Sequence, residues 1–372
     1  MTRFRMRARP SSVAPAWILL FAFAALAQPP SEGTISLEGL NRVRIAAFGR
    51  ISVEPGAPGG ALRYRWIGVP AELAVKSAGA WLIISATRTP QDPMPGELRV
   101  SLPASLAQAF IASDQGSLTV RGIKATIEAV TLAGNVDIRD IRGPVSARTG
   151  GGEMTFSAIA GALRSLSGGG AIRVESVDGA SALQTAGGDI IVGRVSGPLR
   201  ASTSGNIQVR DAGSTVSVHT AGGLIDIGRA RGMVTAENGG GSIVIGSAPG
   251  VHAESAGGGI RLKSVSGPVR ATTTSGPVVA NFTRNATVAT SFLSSGAGDV
   301  TVHLPSNLSV TVKALNESSG WHGAIASEFP EIQARQPTSG YGSAFAQGDL
   351  NGGGPLLMLS VSRGSIFVKR AR

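Results

Sequence analysis

The sequence predicts an all-β fold: a single-stranded β-solenoid (β-helix), right- or left-handed, of about ten 18-residue coils with capping β-elements at both ends. Two observations predict it, an unbroken glycine phase and an apolar alternation locked to that phase. Composition agrees: 52 of the 372 residues are Gly, while aromatics make up 5% and charged residues 15%. Small residues therefore fill space that ordinary domains give to bulky ones. The apolar fraction of 42% is too high for a disordered chain.

The amino terminus comes first. Arg3, Arg5, Arg7 and Arg9 precede an apolar stretch from Val13 to Ala27 that ends in Ala25-Leu26-Ala27. A basic segment, a short apolar run and a small-residue end read as a secretory signal peptide over residues 1–27. Removal is expected rather than retention as an anchor, and no stable membrane insertion is expected afterwards, because the run is too short to span a bilayer. Taking those four Arg from the formal charge of +11 leaves +7 on the remainder, spread without Lys-rich runs or interleaved aromatics. That pattern argues against nucleic acid and for a solvated surface weakly attractive to anionic envelope polymers.

Residues 28–115 alternate without the repeat phase, as in Ile35/Leu37, Val43/Ile45, Ile51/Val53, Leu62/Tyr64/Trp66, Trp81/Ile83 and Leu98/Val100/Leu102. An amino-terminal β capping region is expected there, covering the open edge of the first coil. The repeat proper occupies 116–298. Glycines stand at 116, 134, 152, 170, 188, 205, 223, 241, 258 and 276, in steps of 17 or 18 residues. Two and four residues after each of them the chain is apolar in every unit, as in Ile172/Val174, Ile207/Val209 and Ile243/Ile245, with mostly polar residues between. Period two means a strand with one face buried. A second apolar column lies at offset seven and a third at offsets eleven and thirteen, so each unit has three inward stations. Gly recurs at offset nine in seven units, sometimes before Pro, and these positions read as corners with unusual backbone angles. One unit cannot bury its own apolar face, whereas stacked copies make a continuous aliphatic core. Propeller blades are too long for this period, and sandwich strands lack so strict a repeat. Residues 299–372 add strands at Val300/Val302 and Val310/Val312, a looser stretch near Trp321 to Gly354, and a terminal β-hairpin from Leu357/Leu359/Val361 and Ile366/Val368.

Units such as Gly188-Asp189-Ile190-Ile191-Val192 and Gly298-Asp299-Val300-Thr301-Val302-His303-Leu304-Pro305 resemble the bacterial DUF4097 family of adhesin-like proteins. Ser327-Glu328-Phe329-Pro330 and Leu350-Asn351-Gly352-Gly353-Gly354-Pro355 are similar to that family's carboxyl end, so the resemblance spans residues 33–370. It implies an exported, non-catalytic envelope or surface protein, periplasmic, on the cell surface or extracellular, with an envelope protein or a glycan as partner.

Chemistry is sparse in the residues themselves. With no Cys there is no disulfide framework, thiolate metal site or cysteine nucleophile. Polysaccharide-active enzymes also use β-helices, and they need acids clustered on neighbouring coils. Asp137 and Asp226 share an offset but stand five coils apart, roughly 24 Å. Asp189 has no acid at its offset in the adjacent coils, and Glu153 and Glu175 differ in offset. His219, His252, His303 and His322 lack ligand spacing, and Gly239-Gly240-Gly241 and Gly257-Gly258-Gly259 lack the Lys-Ser/Thr of a phosphate loop. No catalytic residue, cofactor or metal is expected. The alternatives are a polysaccharide-active enzyme and an envelope-stress or sensory module that binds a partner protein. The one regular polar feature is a ladder at offset fifteen: Thr131, Thr149, Ser167, Thr185, Thr203, Thr220, Asn238, Thr273 and Ser291, with Ser255 one place early. Such side chains either satisfy backbone groups at the glycine corner or present a polar surface strip to a glycan or to ice.

Overall fold

The computed structural model describes residues 31–371 apart from 38, 57–59, 69–70, 88–95, 285, 288, 318–323 and 336–341. The expected signal peptide, His322 and part of the looser carboxyl-terminal stretch lie outside the described residues. All regular elements among the described residues are strands, and they build two long sheets that close on each other as a β-solenoid. Each coil gives one strand to each sheet. In the coil after Gly188, Ile190–Val195 enters sheet one and Leu199–Thr203 enters sheet two. Pairing is parallel and in register with the coils before and after. Ile190 faces Ile172 and Ile207, and Leu199 faces Ser181 and Val216.

The three inward stations collapse into two sheets. Offset seven belongs to the same strand as offsets two and four, reached across an irregularity at which the ladder skips one residue, as at Glu175 and Gly193. In two early coils that irregularity carries a left-handed residue, Asp140 at φ 54° and Ala158 at φ 52°. The skip is what turns the offset-seven side chain inward, because strict alternation would aim an odd offset outward. Ile190, Val192, Val195, Leu199 and Ala201 accordingly belong to one core with Ile225 and Ile227.

Glycine is required in the phase column by crowding rather than by unusual dihedrals. A Cβ on Gly134 would overlap the carbonyl of Gly116, one on Gly152 that of Gly134, and one on Gly170 that of Gly152. Among the ten phase glycines only Gly276 has a left-handed φ. Most offset-nine corners obey the same rule, Gly250 excepted, where a Cβ would meet the flexible end of Met233 at 3.0 Å. Gly161 and Gly179 stack on Gly143 and Gly161, and Gly143 alone of the seven has positive φ. The expectation of unusual backbone angles there is corrected: what excludes a side chain is the carbonyl of the coil below.

The same glycine stack runs past the phased region in spatial order. Gly116 rests on Gly49 and Gly49 on Gly96, while at the far end Gly298 rests on Gly276 and Gly364 on Gly298. The amino-terminal region is thus more than a lid. Arg42–Ala47 lies in sheet two between Trp81–Thr87 and Gln108–Ser113, and Arg50–Pro55 lies in sheet one between Glu97–Leu102 and Leu118–Arg121. A coil from early in the chain is thereby inserted between two later ones. Antiparallel strands then cap the end, Ala61–Ile67 and Glu32–Ser36 on sheet one and Glu72–Ala78 on sheet two.

The carboxyl end mirrors this arrangement, and the expected terminal hairpin is corrected. Leu356–Arg363 joins sheet two between Ser291–Ala297 and Val310–Asn316, while Ile366–Arg370 joins sheet one beside Val300–Leu304. The two segments pair with other strands and not with each other, because the turn at Gly364 is another phase corner that carries the chain from one sheet to the other. Ala344–Leu350 and Gln333–Arg335 cap sheet two in antiparallel fashion. These caps cover the parallel edges except on sheet one at the carboxyl end, where the short strand Ile325–Ser327 pairs parallel with Ile366–Arg370 and lies outermost among the described residues.

Candidate binding surface

The polar ladder lies inside the molecule. Thr131, Thr149, Ser167, Thr185, Thr203, Thr220, Asn238 and Thr273 are each at most 5% exposed. The Thr149 hydroxyl donates to the Gly134 carbonyl at 2.9 Å and accepts from the Gly152 N–H at 3.1 Å, so it bridges successive phase glycines. The donated bond recurs from Thr131 to Gly116, Ser167 to Gly152, Thr185 to Gly170, Thr203 to Gly188, Thr220 to Gly205 and Thr273 to Gly258. Asn238 uses its amide for the same purpose toward Gly223, and Ser255 reaches Gly241.

Ser291 does not belong to this column. It accepts from the Val269 N–H, while Ser295, paired with Thr273, donates to Gly276. The unit after Gly276 is longer than its predecessors, and the extra residues shift the ladder position from 291 to 295. Ser113 extends the ladder at the other end, donating to Gly49 and accepting from Gly116. These side chains satisfy backbone groups that crowding has cut off from water. A surface strip for glycan or ice is excluded by their burial.

Most acids stand apart, but Glu237 and Glu254 are cross-strand neighbours on sheet two, with His219, His252 and Arg270 beside them. Asp137 sits between Arg121 at 3.4 Å and Arg139 at 2.7 Å. That contact holds the Arg139 guanidinium above its ordinary value, through the hydrogen bond first and Coulombic attraction second. Glu153 pairs with Arg173, Glu175 accepts from Ser157, and Asp189 accepts from the Asn206 backbone and side chain. His219 faces Glu237 and His252 faces Glu254. Among the described residues no group of three His, Asp or Glu side chains could hold a metal ion, and no helix is long and apolar enough to cross a membrane.

Exposed arginines without an ion pair among the described residues occur on both outer faces, Arg210, Arg229 and Arg261 on sheet one among them. On sheet one most acids are matched by a neighbouring guanidinium or hydroxyl. On sheet two Arg148, Arg164 and Arg200 are exposed and form no ion pair among the described residues. Register places Ser146, Arg164, Ala182, Arg200 and Ser217 in one outward column on successive strands, with Arg148 diagonal to Arg164. The small side chains between the arginines leave a trough of about 460 Å³ and an adjoining one of about 500 Å³ that share Arg164, Ala182 and Arg200. Further along this face Arg42 and Arg44 lie over Trp81, and Arg44 also over Phe110. Along the chain this charge looks diffuse, since arginines that lie together in space stand 16 to 36 residues apart. The signal was present in the phase itself: offset twelve holds Arg164, Arg200 and Arg270.

Among solved structures, the chain is similar to a "putative cell adhesion protein" from Clostridium sporogenes, at 10% identity over 92% of this chain and 100% of that one, with a TM-score of 0.18. It is also similar to a "putative adhesin" from Bacteroides fragilis, at 12% identity over 73% of this chain and 96% of that one, with a TM-score of 0.21. No family model matches the chain, so the DUF4097 resemblance stands on its residues alone. No curated protein matches it either.

Proposed function

We propose that this protein is an exported, non-catalytic scaffold or binding module of the bacterial envelope or surface, adhesin-like, that meets a glycan or envelope protein along its side. The observation that carries this reading is the division of labour along the solenoid. Its interior is filled by aliphatic side chains and the hydroxyl ladder, while its outer strands hold side chains in a fixed register over many coils. Solenoids create extended binding surfaces in this way, with recognition spread over coils rather than gathered in a cleft. Asp137, Glu153, Glu175 and Asp189 are each engaged with arginines, hydroxyls or backbone N–H groups, and the neighbouring carboxylates Glu237 and Glu254 lie on the open outer face of sheet two rather than in a cleft. Export is supported by the residue pattern at 1–27.

Two experiments test the reading. Fractionation of cells expressing the full chain should place the protein outside the cytoplasm, shortened at the amino terminus. Purified protein should be retained by envelope fractions or immobilised glycans while leaving those glycans uncut. Release of shorter sugar products, lost in Asp189→Ala or Asp226→Ala, would replace the proposal with a polysaccharide-active enzyme.

A further inference from the structure

We propose that the arginine-lined trough on the outer face of sheet two binds an acidic polysaccharide whose charge is carried by uronate carboxylates. This rests on the surface-module reading above and names its ligand class. Four observations support it. Arg148, Arg164 and Arg200 are exposed cations without an ion pair, and all three line one trough. Arg164 and Arg200 occupy one column two coils apart, about 10 Å at the inter-strand spacing. That spacing is comparable to the repeat of a uronate chain in a twofold ribbon, whose carboxylates return to the same side after every second sugar.

The trough also has a shape and a charge boundary. Its floor of Ser146, Ala182 and Ser217 is low enough for a chain to lie along it, and Gln184 and Ser202 stand beside it as partners for sugar hydroxyls. Glu128, which lines the adjoining trough at its far end, is the one acid in the central outward column between Arg44 and Arg200, while beyond Ser217 the face turns mixed, with Glu237 and Glu254 beside His219, His252 and Arg270.

The chemistry favours carboxylate. A guanidinium presents paired N–H groups that match a carboxylate's two oxygens. Exposed pairs of this kind are worth at most about 1 kcal/mol each, so a single uronate would bind negligibly. A polymer engages several at once and gains through effective concentration. Affinity should therefore rise with chain length and fall with salt.

The test uses the full chain and galacturonate oligomers of graded length. Isothermal titration at about 0.1 M salt, where the Debye length is about 10 Å, should show no binding of the monomer and increasing affinity from short to long oligomers. Arg164→Glu/Arg200→Glu should weaken the longest oligomer by about tenfold or more, as two attractive pairs become repulsive. A charge-matched control on sheet one, Arg210→Glu/Arg261→Glu, should stay within about twofold, since exposed charges a Debye length away are largely screened. Thermal melts establish that each variant is folded, and Arg164→Gln/Arg200→Gln serves if charge reversal destabilises the protein.

Equal weakening by the two reversals, or equal binding of methyl-esterified oligomers, would overturn the proposal. So would polyphosphate or single-stranded DNA binding as tightly as the uronate oligomer, which would mark a general polyanion surface. Retention of neutral glycans or envelope fractions in the absence of uronate binding would overturn this inference and leave the surface-module reading standing. Cleavage of the oligomers would overturn the non-catalytic reading while leaving the trough as their site.

Discussion

Replacing Gly152 by alanine should damage the protein far more than the same change at Gly151, although the two are neighbours in one corner. A methyl on Gly152 would overlap the carbonyl of Gly134 in the coil below, whereas one on Gly151 would meet nothing within 4 Å. Neither residue has a left-handed φ, so the contrast isolates crowding from dihedral strain. Forcing a carbon into a packed site costs about 1–3 kcal/mol. Separating the two coils also strains the Thr149 bridge between Gly134 and Gly152, two buried hydrogen bonds worth about 1 kcal/mol each. Gly152→Ala should therefore lose about 3–5 kcal/mol, a large share of the roughly 5–15 kcal/mol that holds a typical domain. Gly151→Ala should be neutral or gain up to about 1 kcal/mol, because alanine restricts the unfolded chain. Urea unfolding followed by circular dichroism measures both. Equal stabilities would refute the claim that carbonyl stacking imposes the glycine phase.

Three further substitutions probe the interior. Thr149→Val keeps shape but removes both bonds of one ladder rung, and a loss of about 2–3 kcal/mol is expected in the same unfolding assay, with no change in the trough's uronate affinity. Ser181 is 3% exposed, its hydroxyl has no hydrogen-bond partner, and it occupies a column held by Leu163 and Leu199, so Ser181→Ala should raise the melting temperature, by about 1 kcal/mol of stability. Phe156 is the largest fully buried side chain, and Phe156→Ala should cost about 3–5 kcal/mol by opening a cavity.

The repeat was legible because a solenoid writes its geometry into the chain at constant spacing. Gly188, Ile190 and Val192 announce a phase corner followed by an inward-facing strand, and their counterparts one coil away confirm it. Legibility failed where spatial order and chain order part. Gly49-Arg50-Ile51-Ser52-Val53 and Gly364-Ser365-Ile366-Phe367-Val368 carry the same corner signature, yet each is inserted between coils distant in sequence, so no spacing betrays its place. Ser291 was misplaced for a related reason, because a longer unit moves the rung to Ser295. The ladder's burial was legible too, because offset fifteen shares the parity of the inward offsets eleven and thirteen on one sheet-two strand, as Val145, Ala147 and Thr149 show. The arginine trough escaped notice since its members share an offset with alanine and serine, and a charge count along the chain averages them away.

The central claim is that residues one unit apart are stacked vertically in register, and pairwise distances test it most directly. The chain lacks cysteine, so spin labels can be placed cleanly at Ser146 with Ser217, Thr235 or Arg270, which lie four, five and seven strands away in one outward column. Electron–electron resonance should return backbone separations of about 19, 24 and 34 Å, rising by one inter-strand spacing per coil. Separations that do not increase in proportion to the number of intervening strands would contradict the stacked solenoid and everything built on it.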